Sequence, residues 1–342
     1  MKFSWRIIGH EKILEKLEAD FENGTVGQSY LLCGPREIQK FKVIQRFAEL
    51  LQCEQKNMCR TCDACVRIEK NIHRSTIVVD KLWVKDKSAD LEELAKYSNF
   101  DQSHRKRKGK KSDQIGVDDV LEFVKPLWQK TDDDYKVCII RDIERMTEEA
   151  MNTFLKTLEE PPEKTIFLMT ATHKEHLLPT IISRVRVIEM GLIPNSVLKK
   201  TLDEEHEDIS DEKKEKILTL AQGRSDRLMK FLSDPDFFDT QKELFHEFSL
   251  ILKNRNLPRL FALAEKLSKP DQDEEIFEFF DGFLHFLRTL LREKTFGRSL
   301  SLGDQYSFEK LVELVNAIDA AKQKIEKNVN RRLALEELFL SV

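Results

Sequence analysis

Two short apolar runs flanking a helix-spaced segment constrain this chain more than any other feature. Val137–Ile140 and Ile166–Met169 are apolar at every position and too short for helices, as strands buried on both faces require. Between them Met151, Phe154, Leu155 and Leu158 recur at helical spacing within Thr147–Glu159, and Pro161-Pro162 stops the helix. Strand, helix and parallel strand form the βαβ unit of an open α/β sheet. Upstream, SYLLCGPREIQKFKVIQRFAELL from Ser29 reads as strand, turn and helix.

That upstream turn stands where a G-x-x-x-x-G-K-[ST] phosphate loop belongs. Gly34, Pro35 and Lys40 are in register, but the second glycine is Gln39, the Ser/Thr that would touch magnesium is Phe41, and Glu37 adds negative charge. A phosphate cradle needs bare backbone N–H groups and small residues for close approach, and this loop lacks most of both. Taken alone, it reads as an ordinary strand-to-helix turn. A second decayed motif changes that reading. In a working P-loop ATPase the strand at Val137–Ile140 would end in Asp-Glu, one carboxylate for magnesium and one to polarise water. Here those places are Arg141-Asp142, and an arginine repels the metal an aspartate would bind. Two such losses in the right order outline an ATPase core without its catalytic carboxylates.

With LEEPP at Leu158–Pro162, LLPTI-x-SR ending at Ser183-Arg184, the GPRE remnant at Gly34, a four-cysteine module and NVNRRLALE from Asn328, the chain resembles the bacterial clamp loader family. These are AAA+ subunits that place the sliding clamp on primed DNA, and the eroded loop resembles the delta-prime branch of the DNA polymerase III loader. The family's Ser-Arg-Cys triplet departs here to Ser183-Arg184-Val185, which keeps the arginine. The resemblance implies that Arg184 is a finger offered in trans to a neighbour's phosphoryl group, a task suited to a planar guanidinium. Read without it, Arg184 is a surface cation paired with an acid such as Glu189. The resemblance further implies gamma/tau-like motor subunits and a delta-like subunit as partners, with the sliding clamp and primed DNA reached through the complex.

Cys53, Cys59, Cys62 and Cys65 follow C-x5-C-x2-C-x2-C, and four soft thiolates so close fit a closed tetrahedral zinc site. The ligands alone would also serve an iron–sulfur cluster. Disulfides are disfavoured because Cys33 and Cys138 lie in predicted buried strands and MKFSWRIIGHEKILEKLEADF reads as an amphipathic helix, not a signal. With no open position or nearby His-Glu base, the expected metal is structural, and no ATP hydrolysis is expected.

The 342 residues, 40% hydrophobic, suffice for two or three cores, and the formal net charge of −4 argues against a general affinity for DNA. No apolar run reaches membrane-spanning length, which points to a cytoplasmic protein. The expected fold is an α/β AAA+ core over residues 1–191, holding the zinc module at about 50–68. Short helical patterns follow over 192–237, capped at Ser210 and Asp211 and broken at Gly223 and Pro235, and they resemble the small helical lid of AAA+ proteins. An all-α domain over 238–342, which the resemblance implies is the collar, carries Phe280, Phe283, Leu284, Leu287 and Leu291 on one face. A basic insertion at about 87–112 contains HRKRKGKK, His104–Lys111, with six positive charges in eight residues. Its composition reads as a solvated loop, and its functional reading is a phosphate-backbone contact. The sequence therefore points to a non-hydrolysing, delta-prime-like clamp loader subunit that acts as a stator and donates Arg184. The alternatives are an active gamma-like motor ATPase and a zinc-containing DNA-binding adaptor.

Overall fold

The computed structural model describes residues 2–85, 91–110, 112–206, 208–253, 256–269, 273–296, 306–326 and 329–341. Among them, five strands form one parallel sheet: β1 (Ser29–Cys33), β2 (Thr76–Val79), β3 (Lys136–Ile140), β4 (Thr165–Ala171) and β5 (Arg186–Glu189), in the order β2-β3-β4-β1-β5. The two apolar runs are β3 and the body of β4, which pair directly with Val137 beside Ile166. Alternation decides which side chain meets which layer. Leu31, Cys138, Ile140, Phe167 and Met169 join one apolar layer, whereas Tyr30, Leu32, Val137, Ile139 and Leu168 join the other.

The helix between β3 and β4 runs Glu148–Glu159, and its N-cap Thr147 accepts a hydrogen bond from the amide of Ala150 at 3.2 Å. The first helix of the chain begins only at Glu11. The amphipathic pattern suggests a start at the N-terminus, but Arg6, Gly9 and His10 take left-handed φ values of 49°, 69° and 64°, which a right-handed helix cannot include. At the sheet edge, the Asn99 side chain accepts from the amide of Val78 and donates to the carbonyl of Thr76, both at 2.7 Å. One amide side chain thus satisfies strand groups that would otherwise face an incoming strand.

The chain divides into two compact units, residues 1–209 with 223–227, and residues 210–222 with 228–342. The first holds the sheet. The second has helices and no strand among its described residues, with Phe248, Phe280, Phe283, Leu287, Leu314, Leu335 and Phe339 in its core. Phe280, Phe283, Leu284 and Leu287 are buried and Leu291 packs beside them, as the helical spacing anticipates. An α/β P-loop core with a cysteine module, followed by helices alone, is the fold class read from the sequence.

Candidate functional site

In open parallel sheets, ligands gather at the carboxyl ends of strands where the strand order reverses. Here that place is the end of β1, flanked by β4 and β5. The loop after β1 is drawn in tightly: a Cβ on Gly34 would lie 2.0 Å from the carbonyl oxygen of Met190, so only glycine fits. The helix Lys40–Gln52 begins at its far end, and the Gln39 before it takes φ 64°.

The polar groups of this loop find their partners within the chain. Lys40 Nζ donates to the carbonyls of Gly34 at 2.5 Å and Pro35 at 2.6 Å, and burial holds its pKa below the ordinary lysine value. Gln39 Oε1 accepts from the amide of Ile8 at 2.9 Å, and the Gln39 amide donates to Asp226 Oδ2 at 2.9 Å. The amide of Asp226 in turn donates to the carbonyl of Glu37 at 3.0 Å. Arg227 pairs with Glu37 Oε2 at 2.6 Å and Arg224 reaches the same oxygen at 3.7 Å. Sequence reasoning misses the arrival of Arg224, Asp226 and Arg227 at this loop. Their signal is a charged knot, Gly223–Arg227, within an otherwise apolar-periodic stretch.

Arg141 and Phe41, which the sequence reading places where a P-loop ATPase carries magnesium ligands, meet. Arg141, at the end of β3, lies with its guanidinium carbon 5.2 Å from the centroid of the Phe41 ring and pairs with Asp80 at 3.1 Å. Contact between a half-exposed arginine and a phenyl ring contributes about 0.5–1 kcal/mol, a modest stabilisation that needs no metal. Beside it Asp142 takes a left-handed φ of 52°, its amide bonded to Thr170 Oγ1 at 2.9 Å.

Arg184 follows the short helix Pro179–Ile182. Its guanidinium pairs with Glu159 of the LEEPP segment at 2.7 Å and with the carbonyl of Thr180 at 3.0 Å, and the side chain is 36% exposed. The acid is therefore Glu159 and not Glu189, which is engaged by Lys174. Ion pairs this exposed are worth about 0–1 kcal/mol, so the contact orients Arg184 without committing it.

The four cysteines come together. Their sulfurs lie within 4.8 Å of one another, and Cys53 and Cys59 Sγ are 3.7 Å apart. Tetrahedral zinc with Zn–S bonds of about 2.3 Å requires sulfur separations near ~3.8 Å. Backbone amides point at the sulfurs, from Cys59 to Cys53 at 3.5 Å and from Cys62 to Cys59 at 3.3 Å. Hydrogen bonds from the Thr61 side chain, and then from the amides of Cys62 and Thr61, bring the Cys59 thiol down to about 6, while burial pushes Cys65 up. Donor set, spacing and amide pattern fit a zinc ion, which would cross-link the turn to the helix Asp63–Glu69. The module follows the far end of the 13-residue helix Lys40–Gln52, roughly 20 Å along its axis from the phosphate loop, too far to act there.

The basic segment is not the solvated loop its composition suggests. Residues 86–90 and 111 lie outside the described residues, but Ser103–Lys108 form a short helix in which His104 and Arg105 are buried. Arg105, fully inaccessible, pairs with Asp119 at 2.6 Å and donates to the carbonyls of Trp83, Gln114 and Ser112. His104 Nε2 lies 2.7 Å from one oxygen of Asp119, and the oxygen that Arg105 engages also accepts from the amide of Gly116. Arg105 is thus withdrawn from any phosphate contact because its charge is spent on a buried carboxylate. Lys106, Arg107 and Lys108 stay on the surface.

Among the described residues, no helix is long and apolar enough to cross a membrane. The chain is 28% identical over 204 residues to DNA polymerase III subunit gamma/tau of Mycobacterium tuberculosis, covering 57% of this chain and 30% of that protein. It is 27% identical over 222 residues to DNA polymerase III subunit tau of Bacillus subtilis, covering 64% and 35%. The chain thus spans about a third of the length of these curated relatives. Among solved structures, a DNA polymerase III gamma subunit-related protein from Thermotoga maritima aligns over 96% of this chain and 97% of its own at 19% identity and a TM-score of 0.44. The family model described as "DNA polymerase III, delta subunit" matches residues 9–193, more than half of the sequence, and the chain belongs to that family.

Proposed function

We propose that this chain is a non-hydrolysing, delta-prime-like subunit of the DNA polymerase III clamp loader. In this reading it is a zinc-stabilised cytoplasmic stator that donates Arg184 to the active site of an adjacent gamma/tau-like motor subunit. A delta-like subunit completes the ring, and the sliding clamp and primed DNA are met through the complex. Residues 1–191 serve as AAA+ core, 192–237 as lid and 238–342 as collar. The observation that carries the reading is the contact of Arg141 with Phe41. A cation resting on an aromatic ring stands where a P-loop ATPase needs a metal between a hydroxyl and a carboxylate. Without those groups no preorganised field meets the transition state.

Arg184 suits the donor role because its tie to Glu159 is worth about 1 kcal/mol at most, less than a charge-assisted bond to a phosphoryl oxygen would return. The test is a reconstituted loader in which only the motor site adjacent to this subunit can turn over. Arg184→Ala should lower hydrolysis at that site by roughly three orders of magnitude with assembly unchanged, and Arg184→Lys should rescue little. Wild-type turnover with Arg184→Ala would return Arg184 to a surface ion pair.

The similarity to gamma and tau subunits favours a second reading, an active motor. Steady ATP turnover by the isolated chain, abolished by Lys40→Ala, would establish it.

A further inference from the structure

The phosphate loop is not merely short of glycine and hydroxyl groups; its polar surface is already answered by anions of the chain's own. The Gln39 amide, at the start of a 13-residue helix and so at its positive end, donates to the Asp226 carboxylate at 2.9 Å. Arg227 and Arg224, with side chains 14% and 20% exposed, converge on one oxygen of Glu37, whose backbone at φ 62° turns the carboxylate toward them. Arg227 Nε is buried without a hydrogen-bond partner, so this guanidinium retains a donor that Glu37 does not use. A helix amide and two arginines are the receptor a polyphosphate asks for, and here two carboxylates occupy it.

We propose that Asp226 and Glu37 are tethered anions that seal the loop, standing in for phosphate on the Gln39 amide and on the Arg224–Arg227 pair. The seal rests on the reading of this chain as a non-hydrolysing subunit and gives a reason for it beyond the missing catalytic groups. It holds Gly223–Arg227 on the loop whatever the nucleotide concentration, because a covalently attached anion cannot dissociate away. A polyphosphate must displace both carboxylates and then lie beside their charge, which opposes binding strongly at such short range. Magnesium would add nothing, since Phe41 and Arg141 have replaced its ligands.

The full-length chain titrated calorimetrically with ATP in EDTA, and separately with inorganic tripolyphosphate, tests the seal. Wild type should give no saturable binding at millimolar ligand. Glu37→Gln with Asp226→Asn should bind both probes at least about tenfold more tightly than wild type, and adding Arg227→Ala should remove the gain. Glu37→Gln alone should gain less. Its carboxylate is 31% exposed, so this variant keeps the test decisive if the double variant fails to fold. Binding by wild type as tight as by the variants would overturn the proposal. No gain in Glu37→Gln despite cooperative unfolding, or a gain that survives loss of Arg227, would overturn it too. Failure of the clamp-loader reading is seen separately, as loss of co-purification with motor subunits, and leaves these binding curves unchanged.

Discussion

Arg105 shows how much a single buried charge can organise. It and Asp119 are both fully inaccessible, and their pairing ties the helix Ser103–Lys108 to the start of the helix Val117–Val124. Removing one partner leaves the other charged and dry, so Arg105→Ala should lower the unfolding free energy by about 3–5 kcal/mol in urea titrations. Arg107→Ala, on the surface of the same helix, should change it by less than about 0.5 kcal/mol. Tyr30 makes a second residue-scale prediction. Its hydroxyl donates to Asp20 and accepts from the amide of Gly27, each at 2.8 Å, and burial first, with Asp20 beside it, pushes its pKa up from 10 to about 12. A pKa raised on folding contributes stability that is complete below the unfolded value and is lost as pH rises through the folded one. Stability should therefore fall between about pH 10 and pH 12, and Tyr30→Phe should flatten that part of the urea-midpoint profile. Cys138 belongs to the same scale: the sequence places it in a buried strand, and it is fully buried in β3.

Among the elements, the cysteine module carries the sharpest consequence. It has little apolar core of its own, with Met58, Ala64 and Ile68 buried, so its turns at Lys56, Met58 and Arg60, all at positive φ, need another constraint. We propose that zinc held by Cys53, Cys59, Cys62 and Cys65 would supply it, so that binding and local folding should be one event. Elemental analysis of reduced protein should find one zinc per chain. Cys62→Ser with Cys65→Ser should lose the metal and increase amide exchange over residues 53–65. Metal-free wild-type protein would remove the zinc assignment. The spacing was legible in sequence because two x2 steps bring ligands together with no help from the rest of the fold. The basic helix was not, because composition records how many charges a segment has and not which of them find a buried carboxylate.

For the whole molecule, the net charge of −4 argues against a general affinity for DNA, so the DNA contact proposed through the complex would fall to local patches. Arg105 is committed to the interior, so deleting the whole basic segment would confound unfolding with the removal of surface charge. Lys106→Ala with Arg107→Ala leaves the buried pair intact. If the helix Ser103–Lys108 tracks phosphates, the salt dependence of DNA binding by the assembled loader should flatten by about 0.9 in log–log slope for each phosphate no longer neutralised. An unchanged slope would mean that these side chains do not contact phosphates.

The sequence by itself determined β1, β3, β4, the helix between β3 and β4, the cysteine module and which residues stand at the phosphate-loop positions, while the edge strand β2 at Thr76–Val79 was not read from it. Each feature so determined is a local property: burial on both faces makes a strand apolar at every position, and the residue at a motif position is the same in any fold. Tertiary structure decided which groups meet around the loop. Asp226 reaches the Gln39 amide across 187 residues, Phe41 receives Arg141, and Glu159 and not Glu189 holds Arg184. Such pairings depend on which groups the sheet order brings to the end of β1 and on which are desolvated together, and no periodicity in the chain encodes either.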